Sequence, residues 1–297
     1  MQDDVAKLLA GVPGITPGGT AQRLGGLTNR VYRLRDFIIR VPGEGTETYI
    51  NRQHEAIAAR AAAAAGVSPE VIHFDETTGV MITRFIDSTT MTPQGFKTRT
   101  GSSARAARAL RQLHQSGQTF PARFELFAMI DDYLGHLSGK DVPVPPGYPA
   151  VLAEAEAVRT ALARSPVPLA PCHCDPLCEN FLDTGSRMWI VDWEYSGMND
   201  PMWDLGDLSV EGQFDAAQDA EMLAAYFDGP PTPQDHARMV IYKAMCDLLW
   251  TLWGLLQLAN DNPAEDFRAY ADTRFARCRA LMATPEFADH LALLQRP

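Results

Sequence analysis

The segment HCDPLCEN, from His173 to Asn180, contains an aspartate and an asparagine whose spacing suits phosphoryl transfer. Asp175 and Asn180 lie five residues apart in a stretch that reads as a loop. Phosphoryl transfer needs a carboxylate that accepts the proton of the attacking hydroxyl, and an oxygen ligand for Mg²⁺ close by. Asp175 and Asn180 fit these two needs.

A second acidic position follows twelve residues beyond Asn180. In IVDWE, Asp192 comes directly after an apolar run that reads as a short buried strand. An acid at the end of such a strand can present Mg²⁺ to nucleotide phosphates. The pattern therefore predicts Asp192 as a metal ligand.

The N-terminal part contains residues that could bind phosphates. GGLTN at residues 25–29 reads as a glycine turn between two strands, and its backbone N–H groups could cover phosphates. Arg40, on the next predicted strand, could pair with the phosphates. Glu55, on the following helix, could hold Arg40 in place, and Glu47 is the alternative partner. This order of loop, base and acid, ahead of Asp175, is typical of phosphoryl-transfer enzymes.

These residues need a small sheet with one helix, followed by a larger helical part. Turn signals and apolar periodicity predict strands at residues 21–24, 30–34, 37–41, 70–74 and 80–85, and a helix at 48–65. Further on they predict a short strand at 188–191 and helices at 105–115, 131–137, 151–163, 217–227, 235–258 and 264–281. We therefore predict an α+β fold with an antiparallel nucleotide-binding lobe at residues 1–86. A mainly helical catalytic and substrate-binding lobe would follow at residues 87–297.

Composition and charge exclude several classes of protein. Of the 297 residues, 46% are hydrophobic and 21% are charged, which is ordinary for a globular protein. No run of about 18 apolar residues predicts a membrane span, and no signal peptide is recognisable, so we expect a cytoplasmic protein. The net charge of −11 disfavours nucleic-acid binding, which needs a basic face. Residues 175–215 contain ten acids and one base, which could be solvated surface or could hold Mg²⁺ and a cationic ligand.

The five cysteines indicate neither a disulfide framework nor a zinc site. An odd number of cysteines without an export signal argues against disulfides. Cys172, Cys174 and Cys178 lie around His173, but structural zinc usually draws its ligands from two separated pairs, and no second pair exists. We expect these cysteines to pack in the loop and His173 to position it.

Together these motifs resemble those of the kinase-like small-molecule phosphotransferases, which include choline kinases, ethanolamine kinases and aminoglycoside phosphotransferases. HCDPLCEN resembles their HxDxxxxN motif, and IVDWEYSG resembles their metal-binding DFG. GGLTNRVYRL with FIIRVPG, and DLGDLSVE at residues 204–211, resemble the choline/ethanolamine branch, which has Arg where protein kinases have Lys. The resemblance runs over residues 23–270. It implies a two-lobed protein-kinase-like fold, ATP and Mg²⁺ as cofactors, and a small cationic substrate.

The resemblance also implies roles for individual residues. Asp175 would be the catalytic base, and Asn180 and Asp192 would bind Mg²⁺. The residues implied in nucleotide binding are Gly26, Thr28 and Asn29 in the loop, the pair Arg40 and Glu55, and Thr83 and Phe85 in a hinge that meets adenine through its backbone.

A tryptophan pair narrows the substrate class. Trp250 and Trp253 lie on one face of a predicted helix, and choline kinases have a similar WxxWxxxQ helix whose rings face the trimethylammonium group. A quaternary ammonium has no N–H to donate, so π faces and diffuse negative charge must bind it. The resemblance adds Tyr270 and Glu211 to this cage, and Asp175 and Glu194 also belong to the predicted substrate site.

Two observations favour alternatives to the full cage. Aromatic residues at helical spacing otherwise belong to a core. Asp207 stands where animal choline kinases tend to have Asn, and no additional cage tyrosine occurs near residues 214–216.

The sequence therefore predicts an ATP-dependent kinase that phosphorylates the hydroxyl of choline. A kinase for ethanolamine or another amino alcohol is the nearest alternative. An aminoglycoside phosphotransferase comes third, because such a site prefers scattered acids to an aromatic box. A catalytically silent protein that binds a quaternary ammonium ligand is the alternative from another class. The sequence does not indicate the oligomeric state.

Overall fold

A five-stranded antiparallel sheet forms the N-terminal part of the chain. The structure, a computed structural model, describes residue 12 and residues 19–25, 29–43 and 50–295. The sheet has the order β1-β2-β3-β5-β4. Its strands are β1 (Gln22–Gly25), β2 (Arg30–Leu34), β3 (Phe37–Val41), β4 (Val71–Phe74) and β5 (Met81–Arg84). Three residues named above, Gly26, Thr28 and Glu47, lie outside the described residues.

One helix, α1 (Arg52–Ala64), lies between β3 and β4. It begins after Asn51, whose side chain accepts hydrogen bonds from the backbone N–H groups of Gln53 and His54. Such a cap satisfies backbone donors that a helix leaves free at its N-terminus. The predicted start at residue 48 is therefore too early.

The described residues form a small hydrophobic core within the sheet and a large one that includes the helical part. Tyr32, Ile39 and Ile82 belong to a small core within the sheet. The buried alanines of α1 belong instead to the large core, which they share with the helices that follow. Helix α1 therefore connects the sheet to the helical part.

The rest of the chain is mainly helical, with short strands that carry the loops of the site. The helices are α2 (Pro93–Thr98), α3 (Ser102–His114), α4 (Leu126–Leu137), α5 (Tyr148–Arg164), α6 (Pro201–Glu211), α7 (Ala216–Phe227), α8 (Pro233–Ala259), α9 (Phe267–Met282) and α10 (Pro285–Leu294). The strands are β6 (Thr89–Thr90), β7 (Ala170–Cys172), β8 (Phe181–Asp183), β9 (Met188–Ile190) and β10 (Gly197–Asn199). They form a sheet of order β6-β8-β9 and a pair of β10 with β7.

Helix α8 is the central helix of the large core, and α4, α6, α9 and α10 pack against it. Thr232 caps it in a capping box with Asp235, and Pro233 occupies its first turn. By length and composition alone α8 could cross a membrane, but 78% of its most apolar window is buried inside the protein. Burial in a core explains its apolar character.

Helix α6 is absent from the sequence-based prediction, although it carries three acids of the site. It begins at Asp200-Pro201, where the Asp200 side chain accepts from the Met202 N–H. This is an ordinary start signal. Apolar periodicity did not reveal α6, because this helix is buried on almost all sides and carries acidic residues at buried positions where apolar ones are expected. The prediction also lacked the shorter helices α2 and α10.

The α+β architecture, with a small antiparallel sheet ahead of a larger helical part, agrees with the predicted fold class. The division into lobes at residues 86 and 87 remains a prediction.

Candidate active site

A buried aspartate of α6 holds the loop that follows β7. Asp204 accepts hydrogen bonds from the backbone N–H groups of His173, at 2.7 Å, and Cys174, at 2.8 Å. His114 Nε2 lies 3.0 Å from the same carboxylate, and His114 Nδ1 lies 2.8 Å from the Tyr226 hydroxyl. Cys174 has a φ of +68°, which non-glycine residues rarely adopt. The carboxylate therefore stabilises a backbone turn that is unfavourable by itself.

The His173 side chain ties this loop to the end of β9. Its Nδ1 lies 3.3 Å from the backbone N of Asp175, and its Nε2 lies 2.9 Å from the carbonyl of Val191. A neutral ring that carries its proton on Nε2 satisfies both contacts. The ring also packs against Trp193, with centroids 4.9 Å apart. These contacts position the loop, as expected for His173.

The three predicted catalytic residues occupy one region. Asn180 Nδ2 donates to the backbone carbonyl of Asp175 at 3.0 Å, and the N–H of Val191 donates to the carbonyl of Asn180 at 2.9 Å. Asp192 follows directly, with a φ of +70°. Left-handed backbone in a non-glycine residue costs free energy and is concentrated at functional sites.

The environment of Asp175 makes its carboxylate a stronger base than usual. Burial raises the pKa of Asp175 well above its ordinary value, and the carboxylates of Glu211 and Asp192 raise it further, while Arg274 opposes them. A general base works best when its pKa approaches the working pH. The negative charges of Glu211 and Asp192 beside Asp175 favour a cation in this region.

Arg40 lies at the centre of an ion network between the sheet, α1 and the segment after β9. Only 4% of Arg40 is exposed. Its Nη2 pairs with Glu55, and its Nη1 lies 2.8 Å from Asp192 Oδ1 and 3.5 Å from Glu194 Oε1. Burial lowers the pKa of Arg40, but the neighbouring carboxylates outweigh burial and raise it, so the guanidinium stays charged.

A second arginine completes the network. Arg52 Nη1 lies 2.7 Å from Glu55 Oε2 and 2.7 Å from Glu194 Oε1. Burial raises the pKa of Glu55 to about 7, against the effect of Arg40 and with that of Glu194 and Asp192. Among the described residues, the carboxylates of Glu55, Asp192 and Glu194 thus face the guanidinium groups of Arg40 and Arg52.

The chemistry of this cluster fits a divalent cation. Single oxygens of Glu55, Asp192 and Glu194 all lie within 4.8 Å of one another. Carboxylate and amide oxygens are the ligands that Mg²⁺ prefers. Asp192 belongs to this cluster, and the side-chain oxygen of Asn180, in the neighbouring loop, is of the same chemical type.

Asn29 links the glycine turn to these acids. Its Nδ2 lies 3.2 Å from Glu194 Oε2 and 3.5 Å from Asp192 Oδ2, and its Oδ1 accepts from the Gly43 N–H at 3.3 Å. Asn29 is buried and bound to the acids that would hold the metal, which is consistent with a place beside the phosphates.

Glu194, a predicted substrate residue, has other contacts in the structure. Its carboxylate binds Arg40, Arg52 and Asn29, which places it beside residues predicted for phosphate binding. Glu194 and Tyr195 lie in a turn after the segment of Asp192.

The predicted adenine hinge remains a prediction. Thr83 lies within β5, paired with Ile38 on one side and Val71 on the other. The Phe85 N–H donates to the carbonyl of Asp36 at 2.8 Å, and Arg33 stacks on its ring. β5 is an inner strand of the sheet, between β3 and β4, and the chain continues from it to β6.

The predicted aromatic residues form one group around Tyr195. The ring of Trp250 meets that of Tyr195 edge to face at 5.6 Å, and Trp253 Nε1 donates to the Tyr195 hydroxyl at 3.1 Å. Tyr270 lies 5.7 Å from Trp253, between ring centroids. We call Tyr195, Trp250, Trp253 and Tyr270 the aromatic group. Tyr195 was missed by sequence reasoning, although it lies within the IVDWEYSG motif, three residues after Asp192.

Helix α6 attaches the aromatic group to the catalytic loop. Trp250 is 4% exposed, and its Nε1 donates to Asp207 Oδ2 at 3.1 Å. Asp207 lies one helical turn beyond Asp204, which holds the loop. Side chains three residues apart on a helix are neighbours. The aromatic group and the loop that carries Asp175 are therefore bound by two acids that lie one turn apart on α6.

A protein cation occupies the far side of the aromatic group. The Arg274 guanidinium lies over the Tyr270 ring, 4.5 Å from its centroid, and pairs with Glu211. Its Nη1 also lies 3.3 Å from Asp247 Oδ1. Tyr270 and Glu211 are thus brought together as predicted, but around Arg274. The sequence could have indicated this contact, because Arg274 follows Tyr270 by four residues on α9 and such residues are neighbours on a helix.

The cysteines lie in the interior of the protein. All five are buried and carry free thiols. Within the described part of the chain, Cys172 is the only cysteine in a potential metal-binding cluster, together with His114 and Asp204. Those two residues already bind each other and the loop.

Comparison with known proteins agrees with this geometry. Residues 20–239 match the phosphotransferase enzyme family. The crystal structure of a choline/ethanolamine kinase family protein from Mesorhizobium loti is 64% identical, with a TM-score of 0.92 and 99% of each chain covered. The choline kinase LicA from Streptococcus pneumoniae is 27% identical, with a TM-score of 0.79 over 95% of this chain and 99% of that one. Protein LicA of Haemophilus influenzae is 26% identical over 84% of this chain and 75% of its own length.

A match over most of the chain, together with a relative of such high identity, establishes the family. The chain belongs to the phosphotransferase enzyme family and, within it, to the choline/ethanolamine kinases, which are ATP-dependent phosphotransferases.

Proposed function

We propose that this protein transfers the γ-phosphoryl group of ATP to the hydroxyl of choline, giving phosphocholine and ADP. The observation that carries the proposal is the placement of two sites along one helix. Asp204 of α6 holds the loop of Asp175, and Asp207, one turn later, binds the indole of Trp250. A substrate with a hydroxyl two carbons from an ammonium group could reach from one site to the other.

Asp175 has the role of general base in this proposal. Its carboxylate accepts the proton of the choline hydroxyl while the oxygen bonds to the γ-phosphorus and the bond from that phosphorus to the ADP oxygen breaks. The raised pKa of Asp175 supports this role, because a more basic carboxylate accepts a proton more readily. His173 and Asp204 hold the loop so that the carboxylate and hydroxyl stay in line.

The phosphates of ATP would lie beside Arg40, Asn29 and the metal ligands. Asn180 and Asp192 would hold Mg²⁺, which when bound supplies positive charge that offsets the charge of the phosphate oxygens. Arg40 is kept in place by Glu55 and is positively charged, so that it can bind phosphate oxygens. Rearrangement of Arg40 away from Asp192 would free that carboxylate for the ion.

The aromatic group would receive the ammonium head. Indole and phenol rings attract a cation by about 0.5–2 kcal/mol each, and more when water is excluded. The half-buried Trp253 and Tyr270 and the buried Trp250 exclude much of that water. Arg274 over Tyr270 supports the idea that these rings bind cations, because one already lies there.

The test is ADP release with Mg²⁺-ATP and a panel of choline, ethanolamine, dimethylethanolamine and kanamycin. We expect kcat/KM for choline to exceed that for ethanolamine by tenfold or more, about 1.4 kcal/mol in transition-state binding. A preference for ethanolamine would refute the choline assignment and leave the phosphotransferase intact. Turnover of none of the amino alcohols would refute the proposed function.

Asp175→Asn tests the base separately from the substrate. We expect at least a hundredfold loss of kcat with unchanged ATP affinity. Glu179→Gln is the matched control, because this acid lies in the same loop and is exposed. Equal effects of the two substitutions would remove Asp175 from its role.

A further inference from the structure

We propose that Asp207 is a specificity-determining residue of this enzyme, whose free carboxylate oxygen pairs with the ammonium group of the substrate. This inference rests on the proposed function. It goes beyond it by naming the acid that meets the cation and the class of amine that this acid favours.

The other acids around the aromatic group already have cationic or N–H partners. Glu211 pairs with Arg274. Asp247 binds Arg274 and also Arg277, whose Nη2 lies 2.6 Å from Asp247 Oδ1. None of these acids is therefore available to a substrate without displacing an arginine.

Asp207 is different from its neighbours. It is completely buried, and its Oδ2 accepts from Trp250 Nε1. Its Oδ1 has no hydrogen-bond partner among the described residues. Arg274 is near enough to act on its charge, but the Arg274 Nη atoms bond Glu211 and Asp247 instead.

A buried carboxylate with a free oxygen is unfavourable until a cation or a donor reaches it. Burial raises the pKa of Asp207 well above its usual value, the negative charges of Glu211 and Asp175 raise it further, and Arg274 opposes them. The influence of Asp175 also shows that Asp207 lies near the catalytic loop. A substrate whose hydroxyl is at Asp175 brings its cationic end into this neighbourhood.

The free oxygen distinguishes two kinds of amine. Protonated dimethylethanolamine carries one N–H, which can donate to Oδ1, whereas choline has no N–H and gains only charge attraction. A hydrogen bond to a charged group contributes more than a neutral one. Asp207 therefore favours tertiary ammonium relative to quaternary ammonium, within a site whose rings accept both.

Asp207→Asn is the decisive variant, because the amide keeps an oxygen for Trp250 and removes the charge. We expect kcat/KM to fall about tenfold for choline and about a hundredfold for dimethylethanolamine, with KM for ATP within twofold. The melting temperature without substrate should stay the same or rise, because an uncompensated buried charge is lost. A purely structural role would instead lower stability and affect both amines equally.

Asp219→Asn is the matched control. Asp219 is a partly buried acid and, unlike Asp207, it is paired with Lys243 at 2.7 Å and accepts from Ser209. Asp219 lies on α7, and its replacement by Asn changes the net charge of the protein by the same amount as Asp207→Asn. We expect it to leave the ratio of the two amines unchanged and to lower stability.

Trp250→Phe gives a second route if Asp207→Asn does not fold. It removes the donor to Oδ2 and leaves a second free oxygen on Asp207, so the ratio of kcat/KM should shift towards dimethylethanolamine. An unchanged ratio would overturn the inference, as would an Asp207→Asn variant that affects both amines alike. If the wild type phosphorylates no amino alcohol, the proposed function fails and the inference fails with it.

Discussion

Asp183 offers a quantitative test of how the segment between Asn180 and Asp192 is stabilised. It lies at the end of β8, fully buried, and Arg105 binds it through Nε and Nη2, at 2.8 and 2.7 Å. Arg99 adds a contact at 2.7 Å. Burial alone would raise the pKa of Asp183, but these hydrogen bonds outweigh burial and lower it to about 2.

The size of the effect follows from the difference between folded and unfolded pKa values. A drop from 3.8 to about 2 corresponds to roughly 2.4 kcal/mol of stability at pH 7, at 1.36 kcal/mol per unit. Because the folded pKa is depressed, this contribution is complete above the unfolded pKa and is lost as pH falls through the folded pKa. At pH 3 about half of it remains.

The assay is urea unfolding of the wild type and Asp183→Asn at pH 7 and pH 3. We expect the gap in unfolding free energy to narrow by about 1 kcal/mol between the two pH values. Glu70→Gln is the control, because Glu70 is 66% exposed and its pair with Arg84, at 3.3 Å, is worth less than about 1 kcal/mol. A gap for Asp183→Asn that is independent of pH would refute the reasoning.

Three further substitutions, and the removal of metal ions by a chelator, test the site. In steady-state kinetics, Arg40→Lys should raise KM for ATP by about tenfold and leave KM for choline nearly unchanged, because Lys lacks the planar guanidinium that binds several acids. An equal rise in KM for choline would contradict the place of Arg40 beside the phosphates. Asp204→Asn should lower kcat at least tenfold together with the melting temperature, since hydrogen bonds to a charged group contribute about 1.5–3 kcal/mol; full activity would exclude Asp204 as the support of the loop. Gly254→Ala should raise KM for choline, because a Cβ at residue 254 would lie 2.6 Å from Cδ1 of Tyr270. The control Gly135→Ala has open space around the new Cβ and should leave the stability of the protein unchanged or raise it. EDTA should abolish turnover and added Mg²⁺ should restore it; activity that survives chelation would contradict a metal at Asn180 and Asp192.

Much of the catalytic centre could be predicted because its residues are close in the chain. Asp175 and Asn180 share one loop, and Asp192 follows across the hairpin of β8 and β9. Short spacings leave the backbone few arrangements, so residue type and spacing carry the geometry. The sheet was predictable for a similar reason, because alternation and turn residues act between neighbouring strands.

Helix α6 was not predictable by the same means. Periodicity detects a helix with one apolar face, and α6 is enclosed on nearly all sides. Its acids are tolerated inside because each meets a partner that comes from elsewhere in the chain. Asp204, for example, meets backbone N–H groups about 30 residues earlier.

The amino-acid sequence by itself determined the α+β class and the family, and it predicted the residues of the candidate catalytic loop, because these depend on local pattern and short spacing. Only the tertiary structure decided which charges are compensated. Arg52 meets Glu194 across 142 residues, and Asp207 meets Trp250 across 43. The ionisation and availability of a buried group depend on the groups that folding brings against it, and the order of residues along the chain does not specify them.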